Sequence, residues 1–237
     1  MKNFTLIALW MLLSVAVAGC TSKDKDRALT AEQSTAKTRL EAQMQAAAQT
    51  KDTYHAMNNA ALLGKLIEQS KAQREPFNSP AYRELQGRTD VDAKALTSLV
   101  KDNANAGGIL PLLLLRKIDN KAYLGLPTEL RARILTDALQ SSRYFNIWGL
   151  PNFHLGDASQ AMVEAGESAT PALKRMLSDT RPAPVFGSQE YMVYKQYQNR
   201  VCDYALVFLE QIGGKKDFRM PVSVAERDAL IKEIAAK

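Results

Sequence analysis

Histidine and cysteine are scarce in this chain: among 237 residues there are two of each, His55, His154, Cys20 and Cys202. Neither histidine falls in His-x-x-x-His or His-Glu-x-x-His spacing and no Cys-x-x-Cys occurs, so the sequence offers no metal centre and no cofactor is expected. A Gly-x-Ser-x-Gly elbow and a Gly-rich phosphate loop are missing too, which removes the usual signs of an acyl-transfer or nucleotide-hydrolysing enzyme. Long apolar runs are also absent. Phe4 to Val17 is shorter than the roughly 20 residues a spanning helix needs, and Ile109 to Leu115 is shorter still and is followed by Arg116-Lys117. Charge of one sign is only slightly in excess, with 31 basic and 25 acidic residues for a net of +6.

The start of the chain carries an address. Lys2 forms a positive n-region, Phe4 to Val17 an apolar h-region, and the segment ends Val17-Ala18-Gly19-Cys20. This resembles the lipobox of bacterial lipoproteins. The resemblance implies cleavage between Gly19 and Cys20, acylation of Cys20, and, because Thr21 and not Asp follows, delivery to the outer membrane with the domain facing the periplasm. Residues 1–19 then form the signal peptide. Removing them deletes Lys2 alone among charged side chains, so the net charge of +6 becomes +5. That excess would meet lipid head groups or cell-wall carboxylates in such a compartment, and no nucleic-acid partner is expected. With Cys20 acylated, Cys202 has no partner for an internal disulfide, and its position on an apolar helix face reads as a small buried hydrophobe.

The mature chain reads as all-α and as a single domain on a tether. Residues 20–30 form the lipidated cysteine and a polar, flexible tether, and residues 31–50 an Ala/Gln-rich helix with a thin stripe of Leu40, Met44, Ala47 and Ala48. Residues 51–237 hold the main helical domain. Asp52 to Ala72 is expected as one helix. Ser79-Pro80 opens a short helix through Leu85, and Thr89-x-x-Asp92 opens the next, with Leu96, Leu99 and Val100 on its face. Ile109 to Leu115 is a buried core helix. Pro127 starts another, with Leu130, Ile134, Leu135 and Ala138 inward and Arg131 and Arg133 toward solvent.

Residues 144 to 208 are the aromatic part of the chain, with ten of its seventeen rings. Tyr144, Phe145, Trp148 and Phe153 stand in a loop-like stretch punctuated by Gly149, Pro151 and Asn152. Tyr191, Tyr194 and Tyr197 advance by three, as a stripe on one helix side would, with Lys195 beside them. Two readings are open: these rings seal a core between Ala-rich helices, or they line a binding surface. The candidate surface comprises Trp148, Phe153, His154, Tyr191, Tyr194 and Lys195, and no catalytic residue is assigned.

Asp157 to Gly166 gives an apolar stripe of Ala158, Ala161, Met162 and Ala165 closed by a Gly stop. Thr170 as N-cap and Pro171 at the first helical position then open a second helix with Leu173, Met176 and Leu177. This pattern resembles the helix, Gly-turn, Pro-Ala-Leu helix of HEAT-like repeats, and Arg200-Val201 through Ala205-Leu206, Leu209 and Ile212-Gly213 is similar to the first helix of another. Ala165-Gly166 and Ile212-Gly213 lie 47 residues apart, inside the range of about 40 to 47 for such repeats. The resemblance implies stacked antiparallel helix pairs in a HEAT-like (armadillo-type) right-handed superhelix, and a scaffold without catalytic residues. The expected function is that of an outer-membrane-anchored lipoprotein serving as a protein-interaction scaffold or assembly factor. Its partners would be the membrane, through the anchor, and another envelope protein. The alternative is an envelope enzyme or peptidoglycan-binding protein using the aromatic region around His154.

Overall fold

An apolar run with no polar face cannot lie at a surface, and the chain surrounds Ile109 to Leu115 on every side. In the computed structural model, which describes residues 23–151 and 153–236, all seven of these side chains are buried. The chain divides into two compact units, Met1–Thr50 and Lys51–Lys237. The described part of the first is helical and belongs to α1 (Lys23–His55), whose Leu40 and Met44 are exposed. This helix begins within the stretch expected as a tether. Lys23 to Thr30 contains neither Pro nor Gly, so nothing in it breaks a helix.

In the second unit α1 ends at His55, and the chain restarts as α2 (Asn59–Lys71) with Asn58 as N-cap, its side chain accepting from the Ala61 N–H. The single helix expected over Asp52 to Ala72 is therefore two. Next come α3 (Pro80–Gln86), α4 (Ala93–Asp102), α5 (Ile109–Ile118), α6 (Asn120–Leu124) and α7 (Thr128–Ser141). Ser79 Oγ accepts from the Tyr82 N–H at 3.1 Å and Pro80 occupies the first turn, while Asp92 caps α4 through the Lys94 N–H at 2.8 Å. Helices α2, α3, α4, α6, α7 and α8 all pack on α5. Each of its buried leucines contributes about 1.5 to 3 kcal/mol of transfer free energy.

Arg131 departs from expectation. It is buried, with its guanidinium 4.8 Å from the Tyr123 ring centroid. The ring face accepts the cation that solvent was expected to hold.

A hairpin of β1 (Gly149–Leu150) and β2 (His154–Leu155) interrupts the helices. Then follow α8 (Asp157–Ala165), α9 (Thr170–Met176), α10 (Ser188–Tyr197), α11 (Val201–Ile212) and α12 (Val224–Ala235). Gly166 stops α8 with φ of 60°, which an L side chain rarely adopts. A 3-10 turn, Gly166–Ala169, leads into α9, so Thr170 is the first residue of that helix and not its cap. Helices α8, α9 and α12 pack on α11.

The α11–α12 junction is ionic. Arg227, fully buried, donates to Asp203 Oδ2 at 2.7 Å and to the Tyr197 carbonyl at 2.6 Å, while Arg200 Nη2 joins Asp203 to Asp228. Cys202 is buried beside Asp203, and burial pushes its thiol up to about 12, as an inert core cysteine requires.

Candidate functional site

The aromatic segment folds as it does because its polar groups find partners inside. Trp148 donates its indole N–H to Ser142 Oγ at 3.0 Å, and its carbonyl accepts from the Gly156 N–H at 3.0 Å and from the Ser159 hydroxyl. The Tyr204 hydroxyl of α11 donates to the Gly149 carbonyl at 2.7 Å, pinning β1. Gly149 has φ of 75°, and a Cβ there would lie 2.5 Å from the His154 carbonyl oxygen, so glycine is required. On the far side of the turn, Asn146 exchanges two hydrogen bonds with the Phe186 backbone, at 2.6 and 3.1 Å.

The ten rings divide between core and surface. Phe145, Trp148, Tyr204 and Phe208 are fully buried, with centroid separations of 5.1 Å for Phe145–Tyr204 and 6.1 Å for Trp148–Phe208. Trp148, placed on the candidate surface by sequence, is therefore a core residue. Its N–H is satisfied six residues away, so nothing holds the ring outward. Phe153, by contrast, is 74% exposed at the hairpin tip. Phe153 and His154 border a depression of about 220 Å³ together with Lys216, Asp217, Phe218 and Arg219. Among the described residues no ion pair joins His154 to a carboxylate.

Helix α10 carries the other group. Gly187, at φ of 108°, turns the chain into it, and the Gly187 carbonyl accepts from the Tyr191 N–H at 2.9 Å. Tyr191 and Tyr194 stack with centroids 6.3 Å apart, and Lys195 Nζ lies 5.2 Å from the Tyr191 centroid. Tyr194 is half-buried against the core, whereas Tyr191 is 45% exposed and Met192 is 66% exposed. Tyr144, itself exposed, meets Phe186 edge to face at 5.1 Å. The structure thus unites Tyr191, Tyr194 and Lys195, places Phe153 with His154 on the hairpin, and removes Trp148 from both.

Sequence reading missed Met192 and the Tyr144–Phe186 pair. Met192 follows Tyr191 directly and is exposed, but it lies off the stripe of Tyr191, Tyr194 and Tyr197, so the spacing of the rings does not mark it. The Tyr144–Phe186 contact joins residues 42 apart in sequence and has no local signal.

Glu75 was also missed. It is buried between α2 and α3, and its Oε2 accepts from the Ile147 N–H at 2.8 Å. Burial, opposed only by that backbone donor, pushes its carboxyl up to about 8. Arg74 and Arg143 border the same small cavity, but neither pairs with it among the described residues.

Chemically, the α10 group can do what a stacked pair of phenols beside an ammonium and a thioether does. It offers apolar contact area with hydrogen-bonding tips and one positive charge, at little cost in side-chain entropy. Cys20 and Gly19 lie outside the described residues. No family model, no curated protein and no solved structure matches the chain.

Proposed function

We propose that this chain is a lipoprotein anchored through Cys20 to the outer membrane, whose helical domain serves in the periplasm as an interaction scaffold for another envelope protein. The observation that carries the interaction part is the exposed aromatic face of α10. Tyr191 and Met192 project from a helix whose Tyr194 is seated in the core, so two large side chains are held outward by a fixed base. Aromatic and Met residues of this kind are enriched at the centres of protein interfaces. The anchor rests on Val17-Ala18-Gly19-Cys20.

We further propose that the helices of the second unit form a HEAT-like superhelix of stacked antiparallel pairs. In its favour, α8 and α11 end at Ala165 and Ile212, the two points 47 residues apart in sequence, and α9 packs directly on α11. The hairpin and the irregular stretch from Pro182 to Gly187 are insertions in such a scheme. The test is substitution of Tyr191 and Met192 by Ala, with partner capture and thermal unfolding measured on the same preparations. Capture should fall while the melting temperature stays nearly unchanged. Unchanged capture would remove α10 from the interface.

A further inference from the structure

A groove of about 550 Å³ runs between α7 and α9, and charges of both signs line it. The α7 wall presents Glu129, Arg133 and Asp137, spaced one turn apart, and the opposite wall presents Arg175, with Met176 at the floor. Among the described residues none of Glu129, Arg133, Asp137 and Arg175 takes part in an ion pair. The third acid of the groove, Asp179, is occupied: Arg181 holds both of its carboxylate oxygens and donates through Nη2 to the Gln140 carbonyl at 2.7 Å. That bond ties the C-terminal end of α7 to the segment leaving α9, so the two walls are fixed at one end.

Two guanidinium groups and two carboxylates therefore face the opening with no partner across it. Their formal charges cancel. A simple anion drawn to Arg133 and Arg175 meets Glu129 and Asp137, and a simple cation meets the reverse. Asp137 is half-buried, and burial raises its carboxyl above its ordinary value against the opposing effect of Arg133. From Glu129 to Asp137 the wall is about 12 Å long at 1.5 Å per helical residue, the reach of about four extended residues.

We propose that this groove binds a short extended peptide segment carrying both an acidic and a basic side chain. The acidic group lies between Arg133 and Arg175, the ammonium at Asp137, and the aliphatic stems lie over Met176. The site uses none of the α10 residues and stands whether or not α10 is an interface.

The probes are three capped tetrapeptides, acetyl-Glu-Ala-Ala-Lys-amide and its counterparts with Gln in place of Glu or of Lys, plus inorganic phosphate. Binding to the full-length protein in detergent is followed by the methyl resonance of Met176. The doubly charged peptide should shift that resonance saturably, and each singly charged peptide should bind about tenfold more weakly. Arg175→Ala and Asp137→Asn should each weaken the doubly charged peptide by a similar factor, with the melting temperature unchanged, since both sites are partly or fully exposed. Equal binding by all three peptides, the same shift from phosphate alone, no saturable shift up to the solubility limit, or affinity unaffected by both substitutions would each overturn the proposal.

Discussion

Glu75→Gln is the substitution whose effect can be worked out most fully from the structure. The buried carboxyl keeps its proton up to about pH 8 in the fold, against an ordinary value of 4.5. Between those values the native state binds a proton that the unfolded chain has lost, so stability falls as pH rises. The contribution is whole below about 4.5 and is lost progressively up to about 8. One pH unit in that window costs about 1.4 kcal/mol, so a shift from pH 4 to pH 7 removes about 3 kcal/mol. Gln has the same shape, can still accept from the Ile147 N–H, and does not titrate. The variant should therefore match the parent near pH 4 and exceed it by about 3 kcal/mol at pH 7. Urea unfolding curves of both proteins at half-unit steps from pH 4 to pH 8 give the difference directly, since every other titrating group cancels. Two parallel stability curves would refute the reasoning, because they would mean that Glu75 is ionised in the folded protein.

Other outcomes follow from burial and sequence. Leu173→Ala should destabilise the domain by about 2 to 4 kcal/mol, because Leu173 is fully buried on α9 where that helix meets α11; thermal or urea unfolding measures it, and a change within error would place the residue outside the core. Arg227→Ala should cost about 3 to 5 kcal/mol by leaving Asp203 buried with only Arg200 to balance it, whereas Arg227→Met, which keeps the side-chain volume, should cost less, and equal losses would show that packing of the stem contributes little beside the lost charge. Cys20→Ser should abolish fatty-acid labelling and stable membrane fractionation, and persistent label on the variant would refute the lipobox reading.

Much of the helical core was legible because its signals are local. Ile109 to Leu115 is apolar throughout and had to be buried; Ser79-Pro80, Asp92 and Gly166 mark helix ends through their own chemistry. What escaped depends on partners distant in the chain. Arg131 reads as a solvent-side charge until Tyr123 is placed against it. Trp148 reads as a surface aromatic until Ser142 takes its N–H and Phe208 its ring. The two-residue strands of the hairpin are too short for any periodicity, and their pairing is secured from α11 through Tyr204. The candidate site was half legible: the spacing of Tyr191, Tyr194 and Lys195 located α10 correctly, but spacing alone does not tell which ring is seated and which projects. The charged groove between α7 and α9 had no sequence signature, since its walls come from helices separated by the hairpin and α8.

The claim that α10 faces a protein partner at the membrane is tested most directly by a photoreactive phenylalanine analogue placed at position 191 and, as a control, at position 40 on α1. Irradiation of intact cells followed by gel analysis of the membrane fraction should yield a discrete adduct from position 191 that is absent from position 40 and is lost when Met192 is changed to Ala. No adduct from position 191, or the same adducts from both positions, would contradict the account.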